Sequence, residues 1–374
     1  MVKNIVIYKP VHYTTTDLIN FRLRNHQLSR QKFKSPAELV KHFGAMQAQD
    51  YSGAKWAIGL RLKNVIDSNI EKSIAERKII RAWPLRGTLH FIAADDIRRV
   101  LELTAPQMNK ASSIRDKQLG IDEKLQSKSK NVFERCMAGK KELTREELIT
   151  ELNMAGIKAN GVILSHLLYK AGRDQLVCFG VKRGKQFTYT LLDDWVPKTK
   201  MISREEALAE LTRTYFKSHG PAQLKDFAWW AGITAGDAKT GLEIVKPALI
   251  SLDINGSIYW QPNDLQDTMH NISGVYLLPW WDEYLVAYKD RSAVLDPSFT
   301  KMVNAGGGML NPVIILNGRV AGTWKREIKN DTIIIRINKF VSLSRSDKDK
   351  IILAAEKYGK FYDTHVHVEF KKLT

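Results

Sequence analysis

The sequence is poor in cysteine and lacks any long apolar run. Its 374 residues include two cysteines, Cys136 and Cys178, which form no Cys-x-x-Cys pair. A disulfide-built scaffold and a cysteine zinc site are therefore not expected. No apolar stretch reaches the ~18 residues that a bilayer span needs. The opening Met1-Val2-Lys3-Asn4-Ile5-Val6-Ile7-Tyr8 is too short and too polar for a secretory signal. The expectation is a cytoplasmic protein with no membrane partner. Phosphate-loop chemistry is missing as well: Gly306-Gly307-Gly308 is not followed by the Lys-Ser/Thr such a loop requires, and it reads as a turn. There is no Gly-x-Ser-x-Gly nucleophile elbow. His365 and His367 fall on one side of a strand, but no third ligand accompanies them, so neither metal nor cofactor is expected.

Acid is the scarcer charge. Asp and Glu total 40 against 58 Lys and Arg, giving a net +18. The excess is uneven: residues 1–200 hold 36 basic and 20 acidic residues, whereas 201–374 hold 22 and 20. A positive field confined to one half of a chain points to a polyanion, and double-stranded DNA is the usual one. The 44% hydrophobic and 26% charged content is that of an ordinary globular protein, and the length suits roughly two or three domains.

The first ~260 residues read as three copies of one plan, helices followed by a strand hairpin. In the first copy (12–95), Asp17–His26 is helical. Ser35-Pro36 supplies an N-cap and a proline at the first helical position of a helix reaching Phe43. Ala54–Leu62 and Ile70–Ala75 are further helices. Ile79–Trp83 and Thr88–Ile92 then flank the turn Pro84-Leu85-Arg86-Gly87. The second copy (96–200) opens with a basic helical connector, Ile97–Lys130. It continues through helices at Leu143–Leu148 and Val162–Ala171 to strands Leu176–Phe179 and Gln186–Leu192 around Val181-Lys182-Arg183-Gly184-Lys185, a basic turn suited to touching DNA. In the third (201–265), Gly220-Pro221-Ala222-Gln223-Leu224 echoes Ser35-Pro36-Ala37-Glu38-Leu39, and Asn255-Gly256 is a two-residue hairpin turn. From 275 to 374 short strands dominate, interrupted by a helix at Asp347–Lys357. The expected fold is α+β: tandem winged-helix (helix-turn-helix) domains followed by a β-rich, barrel-like C-terminal domain.

Within the first copy lies Gln47-Ala48-Gln49. Two residues apart, the glutamines cannot share a helix face, but on an extended segment both amides lie on one side. Gly44 and Asp50 flank them as helix-ending residues. Amides both donate and accept, so the pair suits a water or a base edge. Lys55, Arg61, Arg81, Arg86 and His90 surround this segment in sequence and are candidates for phosphate contact, as are Lys182, Arg183 and Lys185 of the second hairpin. Trp281-Asp282-Glu283-Tyr284 with Tyr288-Lys289-Asp290-Arg291 reads either as an ion-pair cluster or as a substrate-facing edge, with Lys289 and Arg291 as DNA-contact candidates.

Gln47-Ala48-Gln49-Asp50-Tyr51, the block from Arg81 to His90, His219-Gly220-Pro221-Ala222, Leu277-Leu278-Pro279, Asp282-Glu283-Tyr284 and Tyr288-Lys289-Asp290-Arg291 together resemble the AlkZ-like branch of the bacterial winged-helix YcaQ/AlkZ DNA glycosylases. The resemblance runs from about Asp17 to Tyr362. It implies a monofunctional, metal-free glycosylase acting on double-stranded DNA that carries alkylated bases, with Gln47 and Gln49 as the catalytic pair; a monomer is expected. The sister branch has aspartate where this chain has Gln49, and Asp50 lies one residue too far to take that place. The competing expectation is a non-catalytic winged-helix DNA-binding protein such as a transcriptional regulator. It needs neither the β-rich last ~100 residues nor the glutamine pair.

Overall fold

A computed structural model describes residues 13–196, 198, 202–263 and 273–371. Three units of helices and small antiparallel sheets precede a sheet-rich C-terminal unit. In the first unit, Ser35 accepts from the Glu38 N–H while Glu38 bonds back to the Ser35 N–H, a reciprocal box that starts helix Pro36–Phe43. Gly44, at φ 76°, ends it. The chain then extends through Met46 and Gln47, which pair with Phe91 and His90, before helix Tyr51–Leu60 begins. Strands Ile79–Leu85 and Thr88–Ala93 complete a three-stranded sheet. Their turn is Arg86-Gly87, both at positive φ, so the hairpin is tighter than the four-residue turn the sequence suggested.

This sheet is buried on both faces. Ile79 and Phe91 join a core shared with the C-terminal unit, whereas Ile80, Ala82 and Ile92 enter a second core shared with the third unit. Period-two alternation sends neighbouring residues to opposite faces, and both faces are apolar here. The first unit is thus the hub of the molecule.

The second unit holds helices Ile97–Gln118, Glu123–Met137, Arg145–Met154 and Gly161–Arg173 with a three-stranded sheet. The expected connector helix is broken at Gly120, whose φ of 67° a continuous helix cannot contain. In the third unit the echo of Ser35-Pro36 fails. Helix Leu224–Ala231 starts three residues later than its counterpart in the echo, because Ala222 is extended and bridges Trp260. Asn255-Gly256 forms the expected turn, with φ 53° and 76°.

The C-terminal unit is a five-stranded sheet in the order 365–370, 332–339, 319–329, 313–316, 275–278. It is open rather than a closed barrel, and strand His365–Phe370 joins it in parallel. Helix Arg345–Phe361 packs against both edge strands and against helix Tyr51–Leu60. Phe361 lies where a side chain on Gly59 would stand. Among the described residues, no helix is long and apolar enough to cross a membrane.

The C-terminal unit is tied to the hub by one buried ion pair. Arg61 donates to both oxygens of Asp282, at 2.8 and 2.6 Å, and both side chains are wholly buried. Breaking a buried pair from one side strands the other charge. Asp282→Asn is therefore expected to lower unfolding free energy by about 3–5 kcal/mol in urea titrations. A loss under about 1 kcal/mol would mean that the pair is solvated.

Candidate active site

The glutamine segment is held at each position. Gln47 is 8% exposed, and its backbone N–H donates to Glu283 Oε1 at 2.7 Å. The Ala48 N–H donates to the Leu89 carbonyl at 2.7 Å, and the Ala48 carbonyl accepts two bonds from Arg81, at 2.9 and 3.2 Å. Gln49 is exposed. With N–H and carbonyl both fixed, Ala48 sets the direction in which its two neighbours leave the chain.

Both amides engage the Arg86–His90 hairpin. Gln47 Oε1 accepts from Arg86 Nη2 at 3.1 Å, and Gln49 Oε1 accepts from the Leu89 N–H at 3.2 Å. Guanidinium and backbone N–H groups only donate, so these partners decide which end of each amide is oxygen. Among the described residues, no second donor meets either carbonyl.

Arg86 also donates to the Trp230 carbonyl. His90 Nδ1 lies 2.9 Å from the Thr88 carbonyl, which can only accept, so Nδ1 carries the proton and Nε2 faces Arg86 at 3.5 Å as an acceptor. Burial, assisted by the Arg86 charge, pushes the His90 pKa down to about 3. The imidazole is neutral at physiological pH.

Behind Gln47 stands Glu283, 1% exposed. Its Oε2 accepts the Trp230 indole N–H at 3.0 Å and lies 3.5 Å from His219 Nε2. Burial alone would raise its pKa, but the His219 contact and the nearby Arg86 charge outweigh burial and hold the carboxyl below its ordinary range. Glu283 is placed by Asp282, which caps the short helix Glu283–Val286 while gripping Arg61. The charged cluster of Trp281 to Tyr284 therefore contains both a structural ion pair and a site-facing carboxylate.

Several residues expected to meet phosphate are committed elsewhere. Arg61 is spent on Asp282, the His26 carbonyl and the Ala57 carbonyl. The Lys55 ammonium sits between Asp67 (2.7 Å) and Glu71 (2.5 Å). Arg81 lies among the rings of Tyr51, Phe179 and Phe187, at 5.3, 4.7 and 4.4 Å, and burial lowers its pKa to about 10. Arg86 and His90 face Gln47. Of these five, Arg81 and Arg86 bond the glutamine segment directly and His90 pairs with Gln47, whereas Lys55 and Arg61 are held by carboxylates. Arg291 is half-buried and donates to the Leu285 carbonyl.

Arg183, Lys185 and Lys289 are exposed. Arg183 pairs with Glu147 at 2.7 Å. The Lys182 ammonium lies 5.4 Å from the Tyr51 ring and 5.6 Å from Phe187. The second hairpin is thus brought beside the glutamine segment. Clefts of about 700 Å³ lie elsewhere, one beside Tyr276 and Lys357 and another beside Arg77 and Trp195. Neither is lined by Gln47 or Gln49.

Sequence reasoning did not connect Glu283 or Trp230 with Gln47. No spacing rule joins residues so distant in the chain; the signals were the density of charge and aromatics around Glu283 and the place of Asp282-Glu283-Tyr284 in the resemblance.

His42 resembles His90 in that burial lowers its pKa to about 3. Both stay neutral in the folded protein, whereas in the unfolded chain they take protons below about pH 6.5. Their contribution is complete above that pH and is lost as pH falls toward 3. Near pH 5 these two alone give a slope of about 2.7 kcal/mol per pH unit. Urea unfolding at pH 7.5 and 5.0 checks this; equal stabilities would show that the imidazoles are charged or solvated when folded.

A family model described as "DNA glycosylase AlkZ-like" matches residues 40–361. The curated "Interstrand DNA cross-link repair glycosylase" of Streptomyces sahachiroi is 24% identical over 344 residues, covering 84% of this chain and 88% of that protein. The solved structure of Streptomyces sahachiroi DNA glycosylase AlkZ superposes with a TM-score of 0.81 at 21% identity, over 96% of this chain and 100% of that one. The fold is therefore shared, and the chain belongs to the AlkZ-like DNA glycosylases.

Proposed function

We propose that this protein hydrolyses the N-glycosidic bond of purines alkylated at N7 or N3, through Gln47 and Gln49 and without a covalent enzyme intermediate. The observation that carries the reading is the pair of amide carbonyls, each held by a single donor among the described residues. A purine alkylated at N7 or N3 is cationic, so its bond to the sugar is already weak. As that bond breaks, its electron pair passes to the base and cancels the positive charge. The sugar becomes an oxocarbenium ion, and a water adds to C1′ and releases its proton to solvent. Carbonyl oxygens fixed in advance favour the developing positive charge and orient the water. Amides do not take a proton at neutral pH, so poor leaving groups gain little help.

The curated relative is named for interstrand cross-links. Because Gln49 is exposed, bulky adducts, including such cross-links, belong to the proposed substrate range. The basic hairpin from Lys182 to Lys185, beside Tyr51, is the proposed phosphate contact. A regulator that only binds DNA would not need the Glu283 anchor behind Gln47.

Base release from a duplex with a single N7-methylguanine tests the reading. Wild type should release the base, and Gln47→Ala/Gln49→Ala should lose release by at least about 100-fold while still binding the duplex. A uracil duplex should remain intact and borohydride should trap no adduct. Efficient uracil removal or a trapped Schiff base would contradict the mechanism. For the hairpin, Lys182→Ala/Lys185→Ala should make the slope of log affinity against log salt shallower by about 2. An unchanged slope would move the DNA path away from this hairpin.

A further inference from the structure

Gln47 is bracketed by opposite charges. Its backbone N–H rests on the Glu283 carboxylate at 2.7 Å, and its side-chain carbonyl rests on the Arg86 guanidinium at 3.1 Å. Burial holds the neighbouring His90 and His219 below the ordinary imidazole range, while Arg291 adds a further positive charge that acts on Arg86. Arg86 and Glu283 are the charges in direct contact with Gln47. The guanidinium has the right shape to orient Gln47 but the wrong sign for the reaction, because a cationic purine and then an oxocarbenium ion must form beside it.

We propose that Glu283 is a positioning residue that anchors Gln47 through its backbone and offsets Arg86, so that the site accepts a cationic sugar. The inference rests on the glycosylase reading and names the charge that makes it workable. Both carboxylate oxygens already hold donors, Gln47 N–H and the Trp230 indole N–H, so the group is fixed in place and has no need to move or take a proton during the reaction. Glu283 is a positioning residue rather than a catalytic one because it acts through Gln47 and through its field.

A charge-specific readout separates this role from ordinary support of the fold. Two duplexes serve as probes, one with a pyrrolidine abasic mimic, which is cationic, and one with a tetrahydrofuran abasic mimic, which is neutral and of similar shape. Wild type should prefer the pyrrolidine duplex. Glu283→Gln, which removes the charge and keeps the size, should lose that preference by roughly 10-fold or more, the tetrahydrofuran duplex serving as the reference within each protein. Glu283→Asp should restore most of it. A Glu283→Gln protein that keeps the full preference would overturn the proposal.

If Glu283→Gln does not fold, Arg86→Gln gives an independent test. It leaves the carboxylate uncompensated, so the preference for the cationic mimic should rise by roughly 10-fold, and an unchanged preference would overturn the proposal. Should wild type show no preference, the proposal fails. Base release from the N7-methylguanine duplex then shows whether the glycosylase reading fails with it.

Discussion

The buried Arg61–Asp282 pair is the interaction on which the site depends. It joins the end of helix Tyr51–Leu60 to the loop that opens helix Glu283–Val286. Glu283 is the next residue, so the pair helps hold its carboxylate against Gln47. A buried ion pair gains little net stability over well-packed apolar residues, since desolvation consumes most of the Coulomb attraction. What it supplies here is register between two units distant in sequence. The same pair that seats the C-terminal sheet against the hub also carries the charge behind the glutamine strand.

The site separates orientation from charge. Ala48 is bonded through both N–H and carbonyl, which fixes the strand. Arg86 and the Leu89 N–H then set the amide planes. None of these groups titrates near neutrality, and the nearby His90 is kept neutral by burial. On the proposed reading, a leaving group that is already cationic needs no strong base, and fixed dipoles with one buried carboxylate would suffice. Such preorganisation is costly to the fold, and it is met by three units packing around a sheet that is apolar on both faces.

Features governed by a few adjacent residues were legible in the sequence. The Ser35-Pro36 cap and the Asn255-Gly256 turn each follow from local conformational preference, and each is present; of Gln47-Ala48-Gln49, Gln47 lies in a strand while Gln49 lies at a bend. The uneven charge pointed toward nucleic acid, and the chain belongs to a DNA glycosylase family. Features set by distant partners were not legible. Lys55, Arg61 and Arg81 read as surface cations because Asp67, Asp282 and the aromatic rings that claim them cannot be identified from their own neighbourhood. The echo around Gly220-Pro221 failed because Trp260 holds Ala222 in an extended bridge, and local similarity cannot foresee that. The parallel edge strand at His365–Phe370 is likewise a tertiary choice.

The central claim is that fixed amides, with no titrating base, carry the reaction. The single-turnover rate of base release from an N7-methylguanine duplex, measured from pH 6.0 to 8.5, tests it most directly. The account predicts a flat profile, since neither the glutamines nor the neutral His90 changes charge in that window. A rate that rises tenfold per pH unit and levels off near pH 7 would reveal a general base, and the account would be wrong.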